Sequence, residues 1–160
     1  MRIRELSPSD IPWVESTVTE HFGSLGVVSR GVLHDVRELP GFVAEIGSMP
    51  VGLLQYRRDC DQCEIVVLIS RIRRHGIGRA LLEASEAMAC QAGCDRLWLI
   101  TTNNNRAALE FYRAMGWKQV AIHRGAVREA RKLKPEIPEF DEEGTAIEDE
   151  IEFELRIYGG

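Results

Sequence analysis

The feature that most constrains this chain is a strand-shaped apolar run followed at once by a glycine pair. Cys63 to Ser70 (CEIVVLIS) is β-branched and almost continuously apolar, and Gly76 and Gly78 come directly after it. A run of that kind is buried on both faces, so it belongs in the middle of a sheet. Beyond the glycines, Ile77, Ala80, Leu81, Ala84, Ala87 and Met88 recur at helical spacing until Gly93. Glycines at such a seam let backbone amides approach a ligand at the positive end of the helix dipole. An anion, most simply a pyrophosphate, fits there. Arg71, Arg73, Arg74, His75 and Arg79 add donors and positive charge around it.

Spacing separates this segment from other nucleotide sites. A P-loop requires G-x-x-x-x-G-K-[ST], which is absent, and a dinucleotide fingerprint requires a third glycine where Ala80 and Leu81 stand. What the segment alone leaves open is an anion site or a tight turn flanked by solvated arginines.

The rest of the pattern builds an α/β fold around that seam. Arg2 to Leu6 reads as a first strand, and Ser7-Pro8-Ser9-Asp10 as the start of a helix carrying Ile11, Val14 and Val18. Gly23 to Pro40 is ambiguous, with Val32, Leu33 and Val36 hinting at a short helix. Phe42–Ile46 and Val51–Tyr56 flank the turn formers Gly47 to Pro50, which predicts a hairpin. Leu97–Ile100 is a further buried strand. Ala108, Phe111, Tyr112 and Met115 mark one helix face closed by Gly116, and Trp117–His123 is a strand. Ala126–Lys134 reads as helical, Pro135–Gly144 as an acidic loop, and Ile151–Ile157 alternates as a strand with one wet face.

At 160 residues the expectation is a single domain, 1–160, folding alone or as a small oligomer such as a homodimer. No apolar run reaches the ~18 to 20 residues of a membrane span, which points to a cytoplasmic protein without a membrane partner. Four cysteines are few, and reduced thiols are expected. The pairs Cys60/Cys63 and Cys90/Cys94 have zinc-like spacing, but half-buried thiols explain them as well, so no metal is expected. The net charge of −5 is uneven: residues 135–160 hold ten acidic groups against Arg156 alone, leaving the first 134 residues mildly basic. That suits an anionic ligand, while the acidic tail argues against nucleic acid.

One strand after the glycines comes Asn105-Arg-Ala-Ala-Leu-Glu-Phe-Tyr-Arg-Ala-Met-Gly-Trp117. With it the chain resembles the GCN5-related N-acetyltransferase (GNAT) family. Arg73, Gly76 and Gly78 fit that family's [QR]-x-x-G-x-[GA] motif, and Asn105, Ala108, Phe111, Tyr112, Gly116 and Trp117 fit N-x-x-A-x-x-[FL]-Y-x-x-x-G-[FW]. The resemblance covers nearly the whole chain and implies a mixed, largely antiparallel sheet flanked by helices and splayed at the cofactor site. It implies acetyl-CoA as co-substrate, its phosphates at Arg73, Arg74, His75, Gly76, Ile77, Gly78 and Arg79. The backbone of Val67, Leu68 and Ile69 then binds its arm as an added strand does, and Asn105 anchors the arm or caps its helix. Many relatives carry Pro where Ser70 stands and Gly where Arg74 stands.

Acetyl transfer to a primary amine needs a deprotonated amine, a stabilised oxyanion and a protonated leaving thiolate. The family achieves this by direct attack, so Cys63 is not expected to be a nucleophile. Tyr112 matches the family's general acid; the alternative is a core aromatic beside Ala108 and Met115. Glu64 is the candidate base, or else a solvated carboxylate at a strand end, with Glu45 and His123 weaker candidates. The oxyanion falls to an amide near Leu68. Other classes remain open: a non-catalytic acyl-CoA-binding module, or an interaction protein whose acidic tail docks a basic partner. The amine acceptor, small molecule or protein, is not legible beyond a lean toward a cation.

Overall fold

The apolar run expected at the centre of a sheet is the fourth of seven strands. The structure, a computed structural model, describes residues 1–157. In chain order the strands are β1 (Arg2–Glu5), β2 (Gly26–Ser29), β3 (Val32–Asp35), β4 (Gly41–Ile46), β5 (Met49–Asp59), β6 (Gln62–Ser70), β7 (Arg96–Thr102), β8 (Lys118–His123) and β9 (Glu150–Arg156). The α-helices are α1 (Ile11–Phe22), α2 (Ile77–Gln91), α3 (Arg106–Ala114) and α4 (Ala126–Leu133). The main sheet has the order β1-β4-β5-β6-β7-β9-β8, and β2 and β3 form a separate hairpin. Every neighbouring pair is antiparallel except β6 with β7.

Two cores flank the sheet, and one extra residue decides which side chains of β6 enter which. Cys63 and Ile65 pack into the larger core with Leu81 of α2, Tyr112 of α3 and Phe153 of β9. Strict alternation would send Val67 and Ile69 to the same side. Instead the register against β5 slips between Tyr56↔Ile65 and Gln55↔Val67, making Val66 a bulge. A slip of one residue turns every following side chain to the other face, so Val67 and Ile69 join Val14 and Val18 of α1 in the second core. This is why the run had to be apolar at consecutive positions.

The start of α2 is seated by Gly52 on β5. A Cβ there would lie 2.5 Å from Ile77 Cγ2 and 3.0 Å from Leu81 Cδ1, so the helix approaches the sheet only because that position has no side chain.

Two expectations are corrected. Val32 and Leu33 belong to strand β3, not a helix; only Val36–Glu38 is helical, as one 3-10 turn. The residues between Ser29 and its partner Val32 are Arg30 (φ 48°) and Gly31 (φ 78°), the left-handed pair of a tight hairpin turn. The polar face of β9 is not wet either. Its Glu152 and Glu154 are bound by Arg96 at 2.8 and 2.6 Å, because the strand is inserted between β7 and β8 and its face is covered. The acidic loop before it is likewise tied down. Arg131 donates to the carbonyls of Ile137, Pro138 and Ile147, and Asn103 accepts from the amides of Glu148 and Asp149. Lys134, buried at the end of α4, donates to Phe22 O and Gly26 O at 2.9 and 2.7 Å. No described helix is long and apolar enough to cross a membrane.

Filling the seat under α2 should be costly. Gly52→Val is expected to destabilise the fold by about 1–3 kcal/mol, the usual range for overpacking. A lower urea midpoint at unchanged m-value checks this; an unchanged midpoint would mean that α2 is not held there.

Candidate active site

The parallel pair β6–β7 holds for four residue pairs, from Gln62↔Arg96 to Ile65↔Leu99, and then parts. β6 continues to Ser70 along β5, and β7 continues to Thr102 along β9. From the bulge at Val66 onward, the backbone of Val67, Leu68 and Ile69 therefore has one edge with no strand against it. Unpaired edges facing each other are a template for a ligand able to hydrogen-bond as a strand does.

The glycine segment closes the wide end of this cleft. Gly76 caps α2 in the left-handed conformation (φ 70°), and Arg74 also has positive φ (61°), at the position where relatives of the resembled family carry glycine. The amides of Ile77, Gly78 and Arg79 are the first of the helix and have no intrahelical acceptor. Gly78 is needed for a separate reason, since a Cβ there would meet the Phe111 ring at 3.1 Å. Arg73, Arg74 and Arg79 are exposed and join no ion pair among the described residues, whereas Arg71 turns away to Glu20. His75 Nδ1 lies 2.8 Å from Arg73 O. Free amides, a helix N-terminus and unpaired guanidinium groups are what a pyrophosphate requires. Asn105 caps α3, its side chain accepting from Ala108 N at 3.2 Å.

At the apex of the cleft the two candidate catalytic side chains stand on opposite faces of the sheet. Leu99, the last residue of β7 paired to β6, is opposite Phe153 of β9, and the Tyr112 ring packs on Phe153 with centroids 5.7 Å apart. Tyr112 also touches Phe111 and Trp117, so the core role weighed for it is real. Burial alone pushes its phenol well above the ordinary value, which keeps it protonated. Glu64 is one residue before Ile65 and points to the other face, with Trp98 of β7.

Glu64 is not a solvated carboxylate at a strand end. It is only 3% exposed, on the wall of a cleft of about 260 Å³ that also includes Arg57, Asp59, Asp61 and Trp98. Ser29 of the hairpin donates to its Oε2 at 2.5 Å. Burial raises its pKa to about 7; the Ser29 hydrogen bond and Arg57 oppose the rise, while Glu150 and Glu152 add to it. A carboxyl poised near neutrality is suited to taking a proton from an amine.

The weaker candidates are committed elsewhere. Glu45 pairs with Arg4 at 2.5 Å, and His123 with Glu152 at 2.9 Å. Cys63 and Cys94 lie in the larger core, and burial pushes the Cys63 thiol up to about 12, which leaves it inert as a nucleophile. A broader depression of about 690 Å³ on α4 includes neither Glu64 nor Tyr112, and its Arg131 is taken up by loop carbonyls. Sequence reasoning missed Ser29, His34, Arg96, Trp98 and Glu150. The Arg30-Gly31 turn and the strict alternation of Glu150, Glu152 and Glu154 were the signals that could have placed them.

The chain belongs to the acetyltransferase (GNAT) family, whose model matches residues 4–117. It is 43% identical over 136 residues to the protein YdhI of Bacillus subtilis (strain 168), a match covering 84% of either chain. Among solved structures it is similar to an IAA acetyltransferase from Bacillus cereus ATCC 14579, with TM-score 0.74 at 20% identity over 97% of this chain and 98% of that one. It is also similar to a GNAT family acetyltransferase from Elizabethkingia anophelis solved with acetyl-CoA bound, with TM-score 0.69 at 18% identity over 97% of each chain. At these identities the structural likeness is one of fold: the large, mostly antiparallel sheet and its flanking helices.

The Glu64 environment has a stability signature with a definite sign. A carboxyl whose folded pKa lies above its unfolded one favours the fold at low pH, and this contribution is lost as pH rises from about 4.5 through about 7. Glu64→Gln, which keeps an acceptor for Ser29, should remove that dependence and stabilise the protein above pH 7 by roughly 3 kcal/mol. Urea unfolding at pH 5 and 8 reads the difference; an equal effect of the substitution at both pH values would show that Glu64 titrates normally.

Proposed function

We propose that this chain transfers the acetyl group of acetyl-CoA to a primary amine by direct attack, within one domain. The observation that carries this reading is the placement of Glu64 and Tyr112 on opposite faces of the sheet at the apex of the parted strands. Acetyl-CoA supplies the activated acyl group. The arm is bound along Val67, Leu68 and Ile69 and the phosphates at Arg73 to Arg79, with Asn105 ordering the start of α3 beside them. Glu64 takes the proton of the incoming ammonium, directly or through water, on one face. An amide near Leu68 holds the developing oxyanion, and Tyr112 donates to the departing thiolate on the other face. Asp59 and Asp61 beside Glu64 favour a positively charged acceptor.

Three measurements test the reading. Gly76→Val puts a β-branched residue at φ 70° and should weaken acetyl-CoA binding by about 10-fold or more in calorimetry. Unchanged affinity in a folded variant removes the phosphate assignment. Tyr112→Phe should leave binding nearly intact and lower kcat by roughly 10- to 1000-fold. Normal turnover across pH, or a defect limited to the melting temperature, makes Tyr112 a core residue only. Replacing all four cysteines by serine or alanine should preserve activity in a folded variant, whereas an acetylated cysteine trapped by mass spectrometry would require a covalent route instead.

A further inference from the structure

Among the described residues two buried side-chain polar atoms lack a hydrogen-bond partner, His34 Nε2 and Gln55 Oε1. Gln55 is anchored through its other end, since its Nε2 donates to Val36 O at 2.7 Å. His34 has no such anchor. It is 6% exposed, and its Nε2 faces Glu64 Oε1 across 3.8 Å, about 0.6 Å beyond the usual hydrogen-bonding range. A dry, unpaired ring nitrogen costs about 1–3 kcal/mol, so a histidine held in this way next to a buried carboxylate calls for an explanation.

The charged and titratable groups around the pair come from four elements. Ser29 of β2 holds Oε2, leaving Oε1 free for His34 of β3. Arg57 of β5 favours the ionised carboxylate and the neutral imidazole together. Glu150 and Glu152 of β9 oppose ionisation of Glu64, and both are partly neutralised, Glu150 by Arg30 and Glu152 by Arg96 and His123. Burial keeps the imidazole neutral near pH 7, with its pKa below the ordinary value. A neutral imidazole carries one N–H, and the partner facing Nε2 is a carboxylate oxygen, an acceptor.

We propose that His34 is a positioning residue for Glu64: its Nε2–H closes on Oε1 while Ser29 holds Oε2, and the two donors keep the carboxylate ionised and aimed at the acceptor amine. The hairpin β2–β3 is thereby part of the catalytic apparatus without touching substrate. Its tight Arg30-Gly31 turn puts Ser29 and His34 on facing strands within reach of one carboxylate. This rests on the reading of Glu64 as the base.

The test compares His34→Leu, His34→Gln and Glu64→Gln, using acetyl-CoA and a primary-amine panel of spermidine, tyramine and a lysine peptide. For His34→Leu the acid limb of kcat/KM is expected to move up by about one pH unit, a roughly 10-fold loss on that limb, with the KM for acetyl-CoA unchanged. His34→Gln, which keeps a donor, should restore the limb. A limb that stays in place in a folded His34→Leu variant overturns the proposal, because a purely structural role would move melting temperature and not the pH profile. Two readings need no turnover: carboxyl ¹³C titration of Glu64 should shift upward in His34→Leu, and ¹⁵N shifts of wild-type His34 should show the Nε2–H tautomer. An Nδ1–H tautomer overturns the proposal even if His34→Leu fails to fold. Full activity in Glu64→Gln would instead remove Glu64 as base, and the two titrations would still decide whether His34 holds its carboxylate.

Discussion

β6 and β7 can separate because each keeps a full partner on its other side. β6 stays on β5 to Gly52↔Ser70, and β7 stays on β9 to Thr102↔Glu150. Strands tied on one edge only can diverge without unravelling, and the freed edges are then open to a strand-like ligand. The rest of the site is arranged around that division. The bulge at Val66 redirects side chains to both cores where the strands part, Gly52 seats the start of α2 beyond the end of β6, and Gly78 lets Phe111 of α3 close against α2.

The second organising constraint is a row of carboxylates that water does not reach freely. Glu64, Glu150, Glu152 and Glu154 share one face of the sheet, and each is bound by a neighbour: Ser29, Arg30, Arg96 with His123, and the same Arg96 with Arg156. Three of the four are balanced by cations and only Glu64 is matched by a neutral hydroxyl. Burial lifts the Glu64 carboxyl toward neutrality, and the Ser29 hydroxyl and Arg57 offset that rise only in part, whereas in Glu152 and Glu154 the effect of burial is outweighed by the Arg96 guanidinium bound to them.

Local patterns announced most of the frame. The run CEIVVLIS, the helical spacing after Gly78 and the Asn105–Trp117 segment each carry their own periodicity, so β6, α2 and α3 were legible, as was the family. Two things were not. Val32, Leu33 and Val36 allow helical spacing, and only the left-handed Arg30-Gly31 turn turns them into a hairpin. The alternation of β9 reads as half wet because sequence does not show which strands will enclose it; the insertion between β7 and β8 is a matter of topology. The same limit hid His34 and Ser29, whose importance comes from meeting Glu64 across thirty or more positions of chain.

The division of Glu64 and Tyr112 between two faces makes the sheet a partition. On the proposed reading, the amine and the thiol are then served from different faces of the sheet, which meet where β6 and β7 part. On that reading, two substrates with separate doors need not queue: the acyl donor can be in place before the acceptor arrives, and neither product has to leave past the other. On that reading, a chain built this way can change its acceptor at the residues around the Glu64 cleft, such as Asp59, Asp61 and Trp98, while the donor side stays untouched, so the same donor machinery serves different amines.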